Sequence, residues 1–298
     1  MKFFGSIVAL VTPFDDNNKV DLEALKENIK YQLRNGTDGF VPCGTTGEAP
    51  TLTTEEWEAI VKTTVETVKR QKPVIAGAGT NSTTKTIQLV SRAKELGADG
   101  CLVVCPYYNR PTQDGLYEHF KAIAESVDLP LIIYNIPART GVNILPVTVV
   151  KLYEKYPKII VGIKEASGNL DQISEIRARC GRDFLIFSGD DILTLPVLAI
   201  GGDGVISVVA NIYPKEMSMM IKHFFNGEIE KALALHYKLY PISKAMFIET
   251  NPAPVKFAMS YLGMKAGKPR LPLVEISEAN KTLIKNTIDN YQSVINDD

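Results

Sequence analysis

The stretch STTKTIQLVSRAKELGADGCLVVC, residues 82–105, decides the fold. Its first half spaces apolar residues at helical intervals and stops at Gly97, a residue suited to closing a helix. Its second half, GCLVVC (100–105), is a short continuous apolar run, the pattern of a strand in a covered parallel sheet. Between them stands Gly97-Ala-Asp-Gly100. The same step recurs as Gly36-Thr-Asp-Gly39 and Gly201-Gly-Asp-Gly204, each where a helical pattern hands over to a strand. The first glycine fits a helix C-cap and the aspartate a turn. Recurrence at one kind of junction favours repeated αβ units over a coincidence of turn residues.

Working outward, strand-like runs read as SIVALV (6–11), GFVPC (39–43), PVIAGA (73–78), GCLVVC (100–105), LIIYN (131–135), IIVGIK (159–164), FLIFSG (184–189) and GVISVV (204–209). Helical patterns alternate with them, such as TTEEWEAIVKTTVETVKR, where Thr53 and Glu56 have capping-box spacing. Eight strand–helix units reach about residue 226. That count and size predict a (β/α)8 TIM barrel, typically ~250 residues. An open doubly wound sheet is the alternative. Beyond Asn226 the strands stop, and GEIEKALALHYKLYPISKAMF, NPAPVKFAMSYLGM and SEANKTLIKNTIDNYQSVI read as helices. The chain thus divides into a barrel over 1–226 and a C-terminal helical extension over 227–298.

The totals exclude several classes. A net charge of −1 leaves no basic footprint for nucleic acid and no polybasic membrane patch. No apolar run approaches the ~20 residues of a membrane span. The N-terminal MKFFGSIVALV is broken by Gly5 and Ser6 and lacks a cleavage site, so it reads as a first strand rather than a signal peptide. Cys43, Cys101, Cys105 and Cys180 form no CxxC pair, which predicts buried free thiols and a cytoplasmic setting. His119, His223 and His236 show no metal-ligand spacing.

A TIM barrel carries its active site at the C-terminal ends of its strands. In this chain those ends bear CGTTGE, CPYYNRP, YNIPART, Lys164, SGDD and VIS. Lys164 ends an apolar strand. It either snorkels to water, pairs with neighbouring Glu165, or is a Schiff-base lysine that needs a neutral amine. Gly44-Thr45-Thr46-Gly47-Glu48 reads as an ordinary βα turn or as a small anion site, where backbone N–H groups converge and two hydroxyls add donors. It lacks the lysine of a P-loop, so a carboxylate suits it better than a triphosphate. GAGTNS (77–82) fails the dinucleotide pattern. Tyr107, Tyr108 and Tyr134 are core or interface aromatics, or proton carriers if they flank a reactive lysine. Arg139 is a solvated loop arginine, or a bidentate grip on a second carboxylate.

GTTGE, PYYNRPTQDGLY, YNIPARTG, GIKEASGNL, SGDD and GVISV stand in this order, and the set resembles the dihydrodipicolinate synthase family over nearly the whole chain. GxTGE and the lysine strand alone would mark only the wider pyruvate-aldolase superfamily. The resemblance implies a barrel with C-terminal helices, usually a homotetramer of tight dimers and otherwise a homodimer, needing no metal or organic cofactor. It implies that pyruvate forms a Schiff base with Lys164 while Thr45 and Thr46 hold its carboxylate. The enamine would then attack aspartate 4-semialdehyde, giving 4-hydroxy-tetrahydrodipicolinate for diaminopimelate and lysine biosynthesis. Thr46, Tyr134 and Tyr108 match the proton relay, with Tyr108 reaching in from a second subunit and Tyr107 packing across that interface. Arg139 matches the residue gripping the semialdehyde, and Gly189 and the backbone of Ile206 line the pocket. At the interface site that binds lysine in feedback-inhibited members, Thr54, Trp57 and Lys85 stand where histidines and a glutamate are usual, while Asn81 and Tyr107 are kept. Lys85 would repel the effector, so weak or absent inhibition by lysine is expected. The rivals are a sugar-acid lyase or aldolase of the same superfamily, such as N-acetylneuraminate lyase, and a non-catalytic barrel that binds a keto acid.

Overall fold

A computed structural model describes residues 3–296, with side chains through residue 293. Eight strands alternate with helices: β1 Gly5–Ala9, β2 Gly39–Val41, β3 Ile75–Gly77, β4 Gly100–Val104, β5 Leu131–Asn135, β6 Ile160–Glu165, β7 Leu185–Ser188 and β8 Gly204–Ser207. They are all parallel and run in the order β2-β1-β8-β7-β6-β5-β4-β3. A parallel bridge from Phe40 to Val74 joins the two ends of that order. Phe40 N–H donates to Pro73 at 2.9 Å and Gly77 N–H to Pro42 at 2.9 Å. The sheet is therefore a closed (β/α)8 barrel and not a doubly wound open sheet.

The helices of the units are α1 Leu22–Arg34, α2 Thr54–Val68, α3 Thr83–Glu95, α4 Gln113–Ser126, the short α5 Pro137–Thr140, α6 Pro146–Lys155, α7 Leu170–Cys180, α8 Thr194–Ala199 and α9 Pro214–Phe225. The predicted capping box starts α2, with Glu56 N–H on Thr53 Oγ1 at 3.2 Å and Thr53 N–H on Glu56 at 3.0 Å. Closure gives the strands two buried faces. Ile7, Ile75, Leu102, Ile132, Phe187 and Ile206 fill the barrel interior. Val8, Phe40, Val103, Ile133, Ile163 and Ile186 face the helices. This explains why the strands read as unbroken apolar runs. All four cysteines are buried free thiols.

The Gly-x-Asp-Gly steps have a sharper role than a turn. Gly36, Gly97 and Gly201 take φ of +82°, +87° and +100°, which ends each helix without a Cβ penalty. Each aspartate then clamps the preceding strand. Asp38 accepts from Ser6 N–H at 3.1 Å, Asp99 from Val74 N–H at 2.9 Å and Asp203 from Ile186 N–H at 2.8 Å. The same aspartates donate their own N–H to the carbonyls of Ser6, Val74 and Ile186. One residue thus sets the stagger of two neighbouring strands, three times around the barrel.

Helices α10 Ile229–Ala245, α11 Ala253–Tyr261 and α12 Glu278–Asn296 follow. They do not simply extend the barrel. The link between α10 and α11 carries Asn251 to the rim at the C-terminal ends of the strands, where its Nδ2 donates to Thr46 Oγ1 at 3.0 Å. Farther on, Arg270 N–H donates to Glu48 at 2.8 Å, and its guanidinium grips Glu56 of α2 with contacts of 2.6 and 2.7 Å. The C-terminal segment is stitched to the GTTGE turn. Among the described residues, no helix is long and apolar enough to cross a membrane.

Candidate active site

The residues singled out in the sequence gather at the C-terminal ends of the strands. Tyr134 and Lys164 are cross-strand partners in the register of β5 and β6, so both side chains enter the barrel at one level. The Lys164 ammonium sits 4.4 Å from the centre of the Tyr134 ring. Lys164 is only 5 % exposed. No carboxylate lies within ion-pair distance of its Nζ among the described residues. The ion-pair reading with Glu165 fails, because Glu165 points to the opposite, helix-facing side of β6. There its carboxylate takes hydrogen bonds from Asn135, Gln172 and Ser167 N–H instead.

The GTTGE turn follows β2. Cys43 and Glu48, both at φ +55°, bracket it in the left-handed region. Strain of this kind persists only where surrounding contacts enforce it. Those contacts are present: Thr12 Oγ1 donates to Gly47 O at 2.8 Å, Ala49 N–H closes on Gly44 O at 3.2 Å, and Glu48 is buried against Lys256. A Cβ on Gly47 would lie 3.0 Å from Cys43 N. A side chain there would press on the backbone of the turn, which favours glycine. Thr46 is buried, and Thr45 lines a cavity of about 720 Å³ together with Tyr107, Tyr108, Tyr134 and Arg139.

Arg139 stands on α5, and its guanidinium donates to the Asn251 carbonyl at 3.2 Å. Gly189 follows β7; its N–H donates to Glu165 O at 2.8 Å, and a Cβ there would meet Ala166 at 2.5 Å. Ile206 lies in the inner layer with Tyr134. Lys164, Thr46, Gly189 and Ile206 do not belong to the cavity wall that Thr45, Tyr134 and Arg139 form. Tyr107 is half-buried, whereas Tyr108 is 90 % exposed on a backbone with φ +74°.

Three residues were missed by the sequence reading. Asn251 is buried, with Nδ2 on Thr46 and its carbonyl on Arg139, and its Oδ1 is an unpartnered buried acceptor. Lys256 forms a 2.6 Å ion pair with Glu48 in which both side chains are 1 % exposed. Burial holds the Lys256 pKa down at about 8, against the opposing pull of Glu48. Asp191, from SGDD, accepts from the backbone N–H groups of Val208 and Val209 at 3.0 and 3.1 Å and from the Ser207 hydroxyl. Burial pushes its pKa up to about 6 in spite of these donors. Asp191 ties the end of β8, and with it the Ile206 backbone, to the loop after β7.

The family model described as "Dihydrodipicolinate synthetase family" matches residues 2–291. The chain belongs to this family. Among dihydrodipicolinate synthases, a curated relative is the 4-hydroxy-tetrahydrodipicolinate synthase of Geotalea uraniireducens. It is 53 % identical over 289 residues, 97 % of this chain and 99 % of the relative. The dihydrodipicolinate synthase structure from Aquifex aeolicus is 49 % identical with a TM-score of 0.95, covering 97 % of this chain and 98 % of that one. The chloride-inhibited dihydrodipicolinate synthase of Acinetobacter baumannii complexed with pyruvate is 40 % identical with a TM-score of 0.95, covering 98 % and 99 %.

Proposed function

We propose that the chain is a 4-hydroxy-tetrahydrodipicolinate synthase, a lyase of diaminopimelate and lysine biosynthesis that condenses pyruvate with L-aspartate 4-semialdehyde through a Schiff base on Lys164. The observation that carries the reading is the buried, unpaired Lys164 ammonium, in register with Tyr134 inside the barrel. Family membership over nearly the whole chain supports the choice of substrates.

The Lys164 amine attacks the pyruvate carbonyl, and water leaves to give an iminium. Thr45 and Thr46 hold the pyruvate carboxylate at the GTTGE turn. Loss of a methyl proton gives an enamine, whose carbon attacks the semialdehyde aldehyde. The semialdehyde amine then displaces Lys164 from the imine carbon, which closes the ring and frees the enzyme. Thr46, Tyr134 and the Tyr108 of a second copy pass the protons. Arg139 grips the semialdehyde carboxylate. The orphan Oδ1 of Asn251, whose own carbonyl binds Arg139, accepts from the α-ammonium beside it. Gly189 and the backbone of Ile206 support the pocket from outside its wall. The lysine itself is the electron sink, so no metal or organic cofactor enters.

The exposure of Tyr108 supports self-association, as a homodimer or a homotetramer of two such dimers, with Tyr107 and Tyr108 at the tight interface. Buried thiols without disulfides suit a cytoplasmic setting. Inhibition by lysine is weak or absent. Lys85 and Thr54 are exposed, while Trp57 is turned inward, with its Nε1–H on Gly77 O at 2.8 Å. Half-maximal inhibition at physiological lysine concentrations would contradict this.

The test is the initial rate of pyruvate consumption with aspartate 4-semialdehyde, set against Lys164→Ala. Turnover lost in the variant is expected. No turnover in the intact protein, or cleavage of a sugar acid in its place, would refute the reading.

A further inference from the structure

On the outer wall of the barrel, directly behind the Lys164–Tyr134 pair, four polar side chains close a ring. Asn135 and Glu165 are cross-strand partners one residue beyond Tyr134 and Lys164. Asn135 Nδ2 donates to both Glu165 carboxylate oxygens at 3.1 and 3.0 Å and to Asn143 Oδ1 at 2.7 Å. Gln172, from the first turn of α7, donates to Glu165 at 2.9 Å and to Asn143 Oδ1 at 3.2 Å. It accepts from Asn143 Nδ2 at 2.9 Å. Ser167 N–H adds a 2.8 Å bond to Glu165. Glu165 is 2 % exposed, and no cation pairs with it among the described residues.

The amide orientations are forced in sequence. The backbone N–H of Ile144 donates to Asn135 Oδ1 at 3.2 Å, so the Asn135 amide cannot flip. Its Nδ2 must then face Glu165 and Asn143. Asn143 is oriented in turn, and so is Gln172. Asn135, Gln172 and Ser167 N–H all point donors at Glu165, which must offer acceptors alone. A glutamine would set one N–H₂ against another. A buried polar ring this fully matched rigidifies whatever it joins.

We propose that Glu165, with Asn135, Asn143 and Gln172, is a positioning device for the reaction. The ring continues the β5–β6 pairing past the last backbone bond and fixes the register at which Tyr134 meets Lys164. It also anchors the 141–144 loop that follows Arg139. None of the four touches the reacting atoms. The proposal rests on the Schiff-base reading of Lys164 and deepens it.

The test compares kcat, KM for pyruvate and the rate of borohydride trapping of pyruvate in the full-length enzyme, in Glu165→Gln and in the double variant Glu165→Gln/Gln172→Glu. The single variant is near-isosteric but mismatches the ring. Its kcat and trapping rate should fall roughly ten- to hundredfold, the scale of a small misplacement of reacting groups. KM for pyruvate should change little. The double variant moves the carboxylate to α7 and restores the donor–acceptor match between positions 165 and 172, but loses the bond from position 172 to Asn143 Oδ1, so it should recover part of the loss. A purely structural role would lower the melting temperature and leave kcat of the folded enzyme intact, which would overturn the proposal. A folded double variant as slow as the single one would also overturn it. If Glu165→Gln does not fold, Asn143→Ala replaces it: a several-fold loss of kcat supports the proposal, and unchanged kcat refutes it. Trapping in the wild type is the control. Its absence would sink the Schiff-base reading itself, whereas equal trapping in wild type and Glu165→Gln would sink only the ring.

Discussion

Two lysines lie buried near the C-terminal ends of the strands and have opposite surroundings. Lys256 is 1 % exposed, paired with Glu48 at 2.6 Å, donates to the Lys268 carbonyl at 3.2 Å and packs over the Phe14 ring. Lys164 is 5 % exposed, and its ammonium lies over the Tyr134 ring with no carboxylate in ion-pair distance among the described residues. A buried ammonium costs several kcal/mol unless it is paired and hydrogen-bonded. Lys256 meets that demand and serves as a fastener between the C-terminal segment and the GTTGE turn. Lys164 has no ion-pair partner among the described residues, and the proposed Schiff-base role rests on that contrast. The ion-pair role that the sequence allowed for Lys164 belongs to Lys256 instead.

The widest separation between the two comes from deleting each. Lys164→Ala should lower the condensation rate by roughly four orders of magnitude or more, as loss of a covalent nucleophile does, with the melting temperature unchanged or raised. Loss of folding in this variant would make Lys164 the fastener and break the contrast. Lys256→Met should do the reverse. Leaving Glu48 buried and unpaired costs about 3–5 kcal/mol in denaturant unfolding, and Lys256→Met/Glu48→Gln should recover most of it. A rate loss in Lys256→Met as deep as in Lys164→Ala, with the fold intact, would contradict the assignment.

A third buried charge sharpens the comparison through pH. Folding raises the Asp191 pKa from 3.8 to about 6, chiefly by desolvation. Between those values the folded chain holds a proton that the unfolded chain releases. The stability from this group is therefore full below about pH 4 and is lost as pH rises through about 6. Asp191→Asn removes the dependence. The stability difference between wild type and variant, from urea titrations, should move against the wild type by up to about 3 kcal/mol between about pH 4 and pH 7. A gap that does not vary with pH would show that the burial has no such effect. The smallest effect is expected at Asn251. Asn251→Ala should raise KM for the semialdehyde by roughly five- to 150-fold, the equivalent of about 1–3 kcal/mol, while pyruvate trapping continues. Slowed trapping would place Asn251 with pyruvate instead.

The barrel was legible because closure buries both strand faces, which writes continuous apolar runs into the sequence, and because the Gly-x-Asp-Gly step repeats. The role of its aspartates was not legible. A bond from Asp99 to Val74 N–H spans a loop that local pattern does not describe. Lys164, Tyr134 and the GTTGE turn could be placed because each sits at a strand end. Asn251 and Lys256 were read as parts of a helical appendage. Their partners, Thr46 and Glu48, lie some two hundred residues earlier, and only the folded chain brings them together. Glu165 misled for a simpler reason: neighbours in a strand point to opposite faces, so the nearest carboxylate in sequence was the wrong partner.

The most direct test of the central contrast is borohydride reduction of the enzyme with pyruvate alone, followed by peptide mass spectrometry. The account predicts one reduced pyruvate adduct, on the peptide bearing Lys164, with Lys256 unmodified. An adduct on Lys256, or none on either lysine, would contradict it.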